Sequence, residues 1–309
     1  MLKIAIELII ILLAWFLLVS FYAFYSSIHP KKILSHRTPA EFGFSYENVS
    51  FQTEDNLTLR GWFVPASLAS QRSGPTESQG GPTVFSPAKT VIVLHGYPAE
   101  KGDVLNWALF LHDKYHLLFF DFRYFGESEG GYTTVGWEEK KDLKAAIDYL
   151  FSRDDTDPEK VGVLGFSLGG ATAIMTAPDT PEIKAIVADS SYATLEQMAE
   201  SLFQRFSVFK KPMVWSVRQW SKIWLKFDPG AVSPVASVEK NTTPLLLIHG
   251  EKDQEIPVEH SRQIFQAAKG PAELWTVSSA DHGSAYFQEK ELYEKKVLEF
   301  FGKYLDQKK

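Results

Sequence analysis

The chain has 309 residues, of which 45% are apolar and 23% charged, the balance of a globular protein with a real core, which excludes disordered, collagenous and low-complexity classes for most of its length. Thirty-two basic residues against 38 acidic ones leave a formal net charge of -6, and that sign argues against a nucleic-acid partner, which demands a basic face for phosphates. With zero cysteines, disulfide scaffolds, zinc fingers, thiol nucleophiles and iron–sulfur centres are excluded together.

Residues 8–25, LIIILLAWFLLVSFYAFY, run without a charge for about the length that crosses a hydrocarbon core. A secretory signal has a shorter apolar region, about 7–15 residues, closed by a small-x-small site. Here Ala23 is followed two positions on by Tyr25, a poor cleavage site, so residues 1–28 are read as an uncleaved transmembrane anchor. Trp15, Phe16, Phe21, Tyr22, Phe24 and Tyr25 crowd its second half, as interfacial aromatics do. Lys3 precedes the segment and Lys31, Lys32 and Arg37 follow it. The positive-inside count places the domain in the cytoplasm, but short N-terminal anchors often break that count, and the membrane side stays open.

Residues 29–44 read as a polar stalk with two prolines, after which one large domain fills residues 45–309. ENVSFQT and LTLRGWFV, separated by Glu54, Asp55 and Asn56, predict an antiparallel hairpin. Residues 68–89, rich in Ser, Gly, Gln and Pro, predict a flexible surface insertion. From residue 90 short apolar runs alternate with amphipathic segments, the pattern of βαβ units on a parallel sheet. Strands are expected at 90–94, 116–122, 161–165, 184–189, 244–249 and 273–278, and helices at 137–153, 167–177, 258–269 and 286–305.

In such sheets the working residues lie just past the carboxyl ends of the strands. The run VGVLGF enters Gly165-Phe166-Ser167-Leu168-Gly169, a G-x-S-x-G sequence in a strand-turn-helix context, which pushes Ser167 out at the start of a helix whose dipole favours developing negative charge. A plain helix N-cap is the other reading of that serine. Downstream, PLLLIHG leads into Asp253, and AELWTVSS leads into His282. Serine, acid and histidine then follow successive strands in that order. Asp189 and Asp281 are alternative acids, and the strand-loop context favours Asp253. His249 ends an apolar run and reads as a structural histidine. His95 reads as a brace.

On these residues the chain resembles the α/β-hydrolase family over roughly residues 45–305, and among its members the membrane-anchored Bem46-like and ABHD-type proteins. The resemblance implies a mostly parallel sheet with helices on both faces, an N-terminal antiparallel hairpin and a helical cap. It implies an oxyanion hole from the backbone N–H groups of Tyr97, after His95-Gly96, and Leu168, after the serine. It also implies a structural loop at 121–130 (DFRYFGESEG) in which Asp121 and Arg123 pair. The segment His95-Gly96-Tyr97-Pro98 departs from the H-G-G-G run of lipase-type esterases.

A Ser167, Asp253, His282 triad implies hydrolysis of a carboxylic ester or thioester through an acyl-enzyme. A serine peptidase and a non-catalytic receptor on the same fold are the alternatives. The expected partner is a small-molecule or lipid-like acyl substrate. The absence of H-E-x-x-H, a phosphate-loop Gly-Lys-Ser/Thr and G-x-G-x-x-G predicts no metal or nucleotide cofactor. The cap falls in 191–240. Within it residues 201–227 carry six basic and no acidic side chains, and Met213, Val217, Trp220, Trp224 and Phe227 line one helical face. A cap helix packed on the sheet with a solvated basic face is one reading. The other puts Trp220, Trp224 and Phe227 in an acyl pocket or at an anionic membrane surface.

Overall fold

Continuous apolar runs build the middle of the molecule, because a strand covered on both faces needs no polar alternation. The computed structural model describes residues 1–67 and 88–306. Eight strands, β1 (Glu47–Gln52), β2 (Thr58–Val64), β3 (Ala88–Leu94), β4 (His116–Phe120), β5 (Thr156–Phe166), β6 (Ile183–Asp189), β7 (Leu245–Gly250) and β8 (Ala272–Val277), form one sheet in the order β1-β2-β4-β3-β5-β6-β7-β8. The predicted hairpin is β1-β2, and β2 is antiparallel to β4. All other neighbours are parallel.

Strand alternation sends side chains to two layers. Ile92, Leu118, Val163, Ile186 and Leu247 point into one, with Leu143, Ile147, Ile174 and Ile264. These last come from α2 (Glu139–Phe151), α3 (Leu168–Thr176) and α6 (Glu259–Ala267). Val91, Val93, Leu117, Phe119, Val187 and Leu246 point into the other, with Tyr293, Val297, Phe300 and Phe301 of α7 (Lys290–Leu305). The helix expected at 286–305 is broken at Glu289, leaving a one-turn helix Ala285–Gln288 before α7. The strand expected at 116–122 stops at Phe120, since the N–H of Phe122 leaves the ladder to bond His95 Nε2 at 3.0 Å. Of the insertion expected at 68–89, Ala88 and Lys89 begin β3, and the rest lies outside the described residues.

The N-terminal helix α1 (Leu2–Ile28) holds an 18-residue stretch with a mean hydropathy of 2.8 and is long and apolar enough to cross a membrane. Residues 2–19 are exposed except for the half-buried Phe16 and Val19, and they make roughly 27 Å of helix at about 1.5 Å per residue, close to the thickness of a hydrocarbon core. Its last third is docked. Ser20, Phe24 and Ile28, four residues apart, are buried, and the Ile28 carbonyl accepts from the N–H of Thr133 at 3.0 Å. The segment after it stays on the domain surface, with Tyr124 Oη donating to the Pro30 carbonyl at 2.7 Å.

The cap between β6 and β7 holds α4 (Leu195–Leu202) and α5 (Lys210–Trp224). Helix α5 packs against α1, not the sheet. Phe21 meets Trp220 at 5.1 Å and Trp224 at 5.4 Å between ring centroids, and Ser20 Oγ lies 2.8 Å from Ser216 Oγ and accepts from Trp220 Nε1 at 3.1 Å.

The expected Asp121–Arg123 pair does not form. Arg123 donates to Asp142 and Asp55, while Asp121 accepts from Lys101 Nζ at 2.7 Å. Lys101 is 1% exposed, lies over the Trp62 ring at 4.6 Å and also reaches Glu127 at 2.7 Å. Lys101→Met keeps the stem on Trp62 and strips the buried Asp121 of its counter-charge. The expected loss is about 3–5 kcal/mol, read as a drop in the urea midpoint of the full chain in detergent. A loss below about 1 kcal/mol, the worth of a surface pair, contradicts it.

Candidate active site

At the end of β5 the chain turns abruptly into α3, and Ser167 at that turn has φ 50 and ψ -110, a region that side chains other than glycine rarely adopt. Neighbouring contacts hold it there. Its N–H donates to the Asp189 carbonyl at 2.7 Å, and its own carbonyl accepts from Ala171 at 3.1 Å. The flanking glycines are required by closeness: a Cβ on Gly165 would lie 2.4 Å from the backbone of Gly169 and Gly170, and one on Gly169 would lie 2.6 Å from Leu94. Strand and helix can cross so tightly only without those side chains.

His282 lies in the loop after β8. Its Nδ1 donates to Asp253 Oδ2 at 2.7 Å; a carboxylate only accepts, so the proton sits on Nδ1 and Nε2 keeps a free lone pair. Asp253, after β7, is fixed through Oδ1, which accepts from the N–H groups of Ile256 at 2.8 Å and Glu255 at 3.0 Å. Burial pushes its carboxyl up, but hydrogen bonds from His249 and His282 and the Ile256 N–H outweigh this and hold it well below the usual carboxylate range. Burial disfavours the charged form of His282, yet the Asp253 bond and charge overcome it and raise the imidazole above the ordinary 6.5.

The serine and histidine loops meet across Phe166. Its ring is 5.0 Å from that of His282 and stacks on Trp107 at 4.9 Å, and the N–H of Gly283 reaches Ser190 Oγ at 3.4 Å. The loop 95–97 closes the third side: a Cβ on Gly96 would be 2.8 Å from Phe166 and 3.3 Å from Ser167 Cβ. That loop is pinned by the buried His95, whose Nδ1 donates to the Gly96 carbonyl at 2.7 Å and whose Nε2 accepts from Phe122. Among the described residues, the N–H groups of Tyr97 and Leu168 donate to no protein acceptor.

The alternative acids are engaged elsewhere. Asp189 accepts from the hydroxyls of Ser190 at 2.9 Å and Tyr293 at 3.1 Å, and burial raises its pKa. Asp281 Oδ1 accepts from the N–H groups of His282 and Gln254, which staples the histidine loop to the acid loop. His249 is structural, as its setting suggests, and its work is local to the acid. Nε2 donates to the Ile256 carbonyl at 2.7 Å and lies 3.3 Å from Asp253 Oδ2, while Nδ1 bonds Ser261 Oγ at 2.7 Å. It positions the turn that holds Asp253, a role no spacing along the chain reveals.

An apolar pocket of about 140 Å³ opens beside Tyr97, between α1 and the cap. Phe227 lines it, with Phe24, Ile28, Met198 and Val217. Trp220 and Trp224 do not; their rings turn to Phe21 of α1. Of the three aromatics expected at a substrate pocket, Phe227 lines this cavity, and Trp220 and Trp224 do not, because α5 turns them to the docked helix.

The sheet order, the two helical layers and the strained serine after β5 define an α/β-hydrolase. The profile of the Prolyl oligopeptidase family matches residues 128–308, more than half of the chain. The chain therefore belongs to the Prolyl oligopeptidase family. It is similar to the protein YfhR of Escherichia coli strain K12, 27% identical over 263 residues that cover 83% of this chain and 81% of that one. It is also similar to the protein bem46 of Schizosaccharomyces pombe, 26% identical over 71% of this chain and 64% of that one. Among solved structures, the esterase PF2001 of Pyrococcus furiosus superposes with a TM-score of 0.72 at 28% identity, covering 90% of this chain and 98% of its own. The chain is a hydrolase of the α/β type.

Proposed function

We propose that the protein is a membrane-tethered serine hydrolase that cleaves a carboxylic ester or thioester. Ser167 Oγ attacks the carbonyl as His282 Nε2 takes its proton. Asp253 holds the imidazole in the required tautomer and stabilises the imidazolium. The N–H groups of Tyr97 and Leu168 receive the oxyanion, a contribution of about 3–4 kcal/mol per donor. The leaving group takes the proton from His282, and water activated by the same base releases the acid. The observation that carries this reading is the short His282–Asp253 bond in the loop that packs on Phe166, next to the strained Ser167.

The tether reading is supported by the docked end of α1. A cleaved leader would take with it Phe24 and Ile28, which are 1% and 4% exposed, and strip the core they cover. Membership of the Prolyl oligopeptidase family favours a second reading, a serine peptidase, since the same groups cleave an amide.

The test is hydrolysis by the full chain in detergent of p-nitrophenyl esters of graded acyl length beside aminoacyl p-nitroanilides. Ester turnover well above anilide turnover is expected. Anilide cleavage with no ester cleavage favours the peptidase, and cleavage of neither overturns hydrolysis by this site.

A further inference from the structure

We propose that the pocket between α1 and the cap takes the acyl chain of a membrane-resident ester, so that the apolar N-terminal helix is a wall of the substrate site as well as a tether. The proposal rests on the serine-hydrolase reading and adds the substrate class and its route.

Position argues for it first. Tyr97, whose N–H faces the oxyanion in that reading, also lines the pocket, so one residue joins the pocket to the oxyanion loop. Tyr97 Oη donates to the Ser27 carbonyl at 3.0 Å, which ties the oxyanion loop directly to α1. The wall from α1 comprises Ala23, Phe24, Ser27 and Ile28, the last turns of the same helix whose preceding residues are exposed and apolar. Its volume of about 140 Å³ lies below the roughly 300–1,000 Å³ of pockets for drug-sized ligands and suits one slender acyl chain.

The outer surface of the cap argues for the route. Leu202, Phe209, Trp215 and Ile223 are each about 60% exposed or more. They stand on α4, α5 and the turn between them, in the cap that packs on α1, where Lys210 pairs with Glu200 and Lys222 with Asp228. Large exposed apolar side chains on a cap docked against a helix of membrane-spanning length fit the headgroup boundary of a bilayer. A chain leaving the bilayer along α1 reaches the pocket without crossing water.

The test uses the full chain carrying Ser167→Ala in phosphatidylcholine nanodiscs, with a p-nitrophenyl decanoate bearing a diazirine at the chain end. After photolysis, crosslinks are expected on residues 23–28, 195–203 and 214–227. Crosslinks confined to residues 2–19, as on any lipid-facing helix, overturn the proposal. A second readout needs no crosslinking. Ala23→Trp fills the pocket and is expected to lower the ratio of decanoate to acetate kcat/KM by about tenfold or more, the scale on which a few methylenes discriminate. An unchanged ratio overturns it. If the unmodified chain cleaves neither the acetate nor the decanoate ester, the ester-hydrolase reading fails. If it cleaves acetate and the label avoids the pocket, only this proposal fails.

Discussion

Ser167→Ala lowers kcat on any ester the protein cleaves by at least about 10⁴-fold, since removal of a nucleophile leaves only the catalysis of oxyanion stabilisation and binding. The unfolding midpoint moves little. The backbone at 167 is held by its N–H to the Asp189 carbonyl and its own carbonyl to Ala171, and alanine keeps both bonds. Alanine pays the same cost at φ 50 as serine does. The pair of measurements, kcat and Tm of the full chain, separates chemistry from folding. A mutant with half the activity contradicts the assignment, and so does one that loses activity only because it unfolds.

Asp253→Asn costs about 10⁴-fold in kcat by the tautomer argument, because an amide N–H in place of Oδ2 favours the imidazole with its proton on the wrong nitrogen. The pH profile carries a second signature that a merely structural role would not give. His282 is a base only when neutral, and Asp253 raises its pKa above 6.5. In the unmodified protein kcat/KM therefore rises with pH through a midpoint above 6.5. With asparagine the largest attraction for the proton is gone, leaving burial, which lowers the pKa, against the weaker pull of Glu255 and Asp189, so the residual activity rises at a lower pH. A mild effect at Asp253 with a severe one for Asp189→Asn would transfer the role to Asp189.

The parallel strands and the order of serine, acid and histidine are legible in the chain because each follows from local chemistry: a strand buried on both faces is a continuous apolar run, and Gly165 and Gly169 stand where only glycine fits. Partners at long range are not legible. Asp121 and Arg123 are two residues apart, yet they serve separate networks that reach Lys101 on one side and Asp55 on the other. The docking of α1 is hidden for a different reason. A helix apolar on every side has no polar face to mark by contrast which stripe is buried, so Ser20, Phe24 and Ile28 do not differ in pattern from the lipid-length run before them. The same gap hides where Trp220 and Trp224 go: a stripe that needs a partner can be read from α5 alone, but the partner cannot. His249 was legible as buried, and its hold on the turn of Asp253 was not.

The most direct test of the central claim is covalent. The full chain in detergent is treated with a fluorophosphonate, which phosphonylates an activated serine, then digested and mapped by mass spectrometry. A single adduct on Ser167, slowed by Asp253→Asn and absent when the chain is first unfolded in urea, is the predicted result. An intact chain that takes up no label, or that carries it on another serine, contradicts the account.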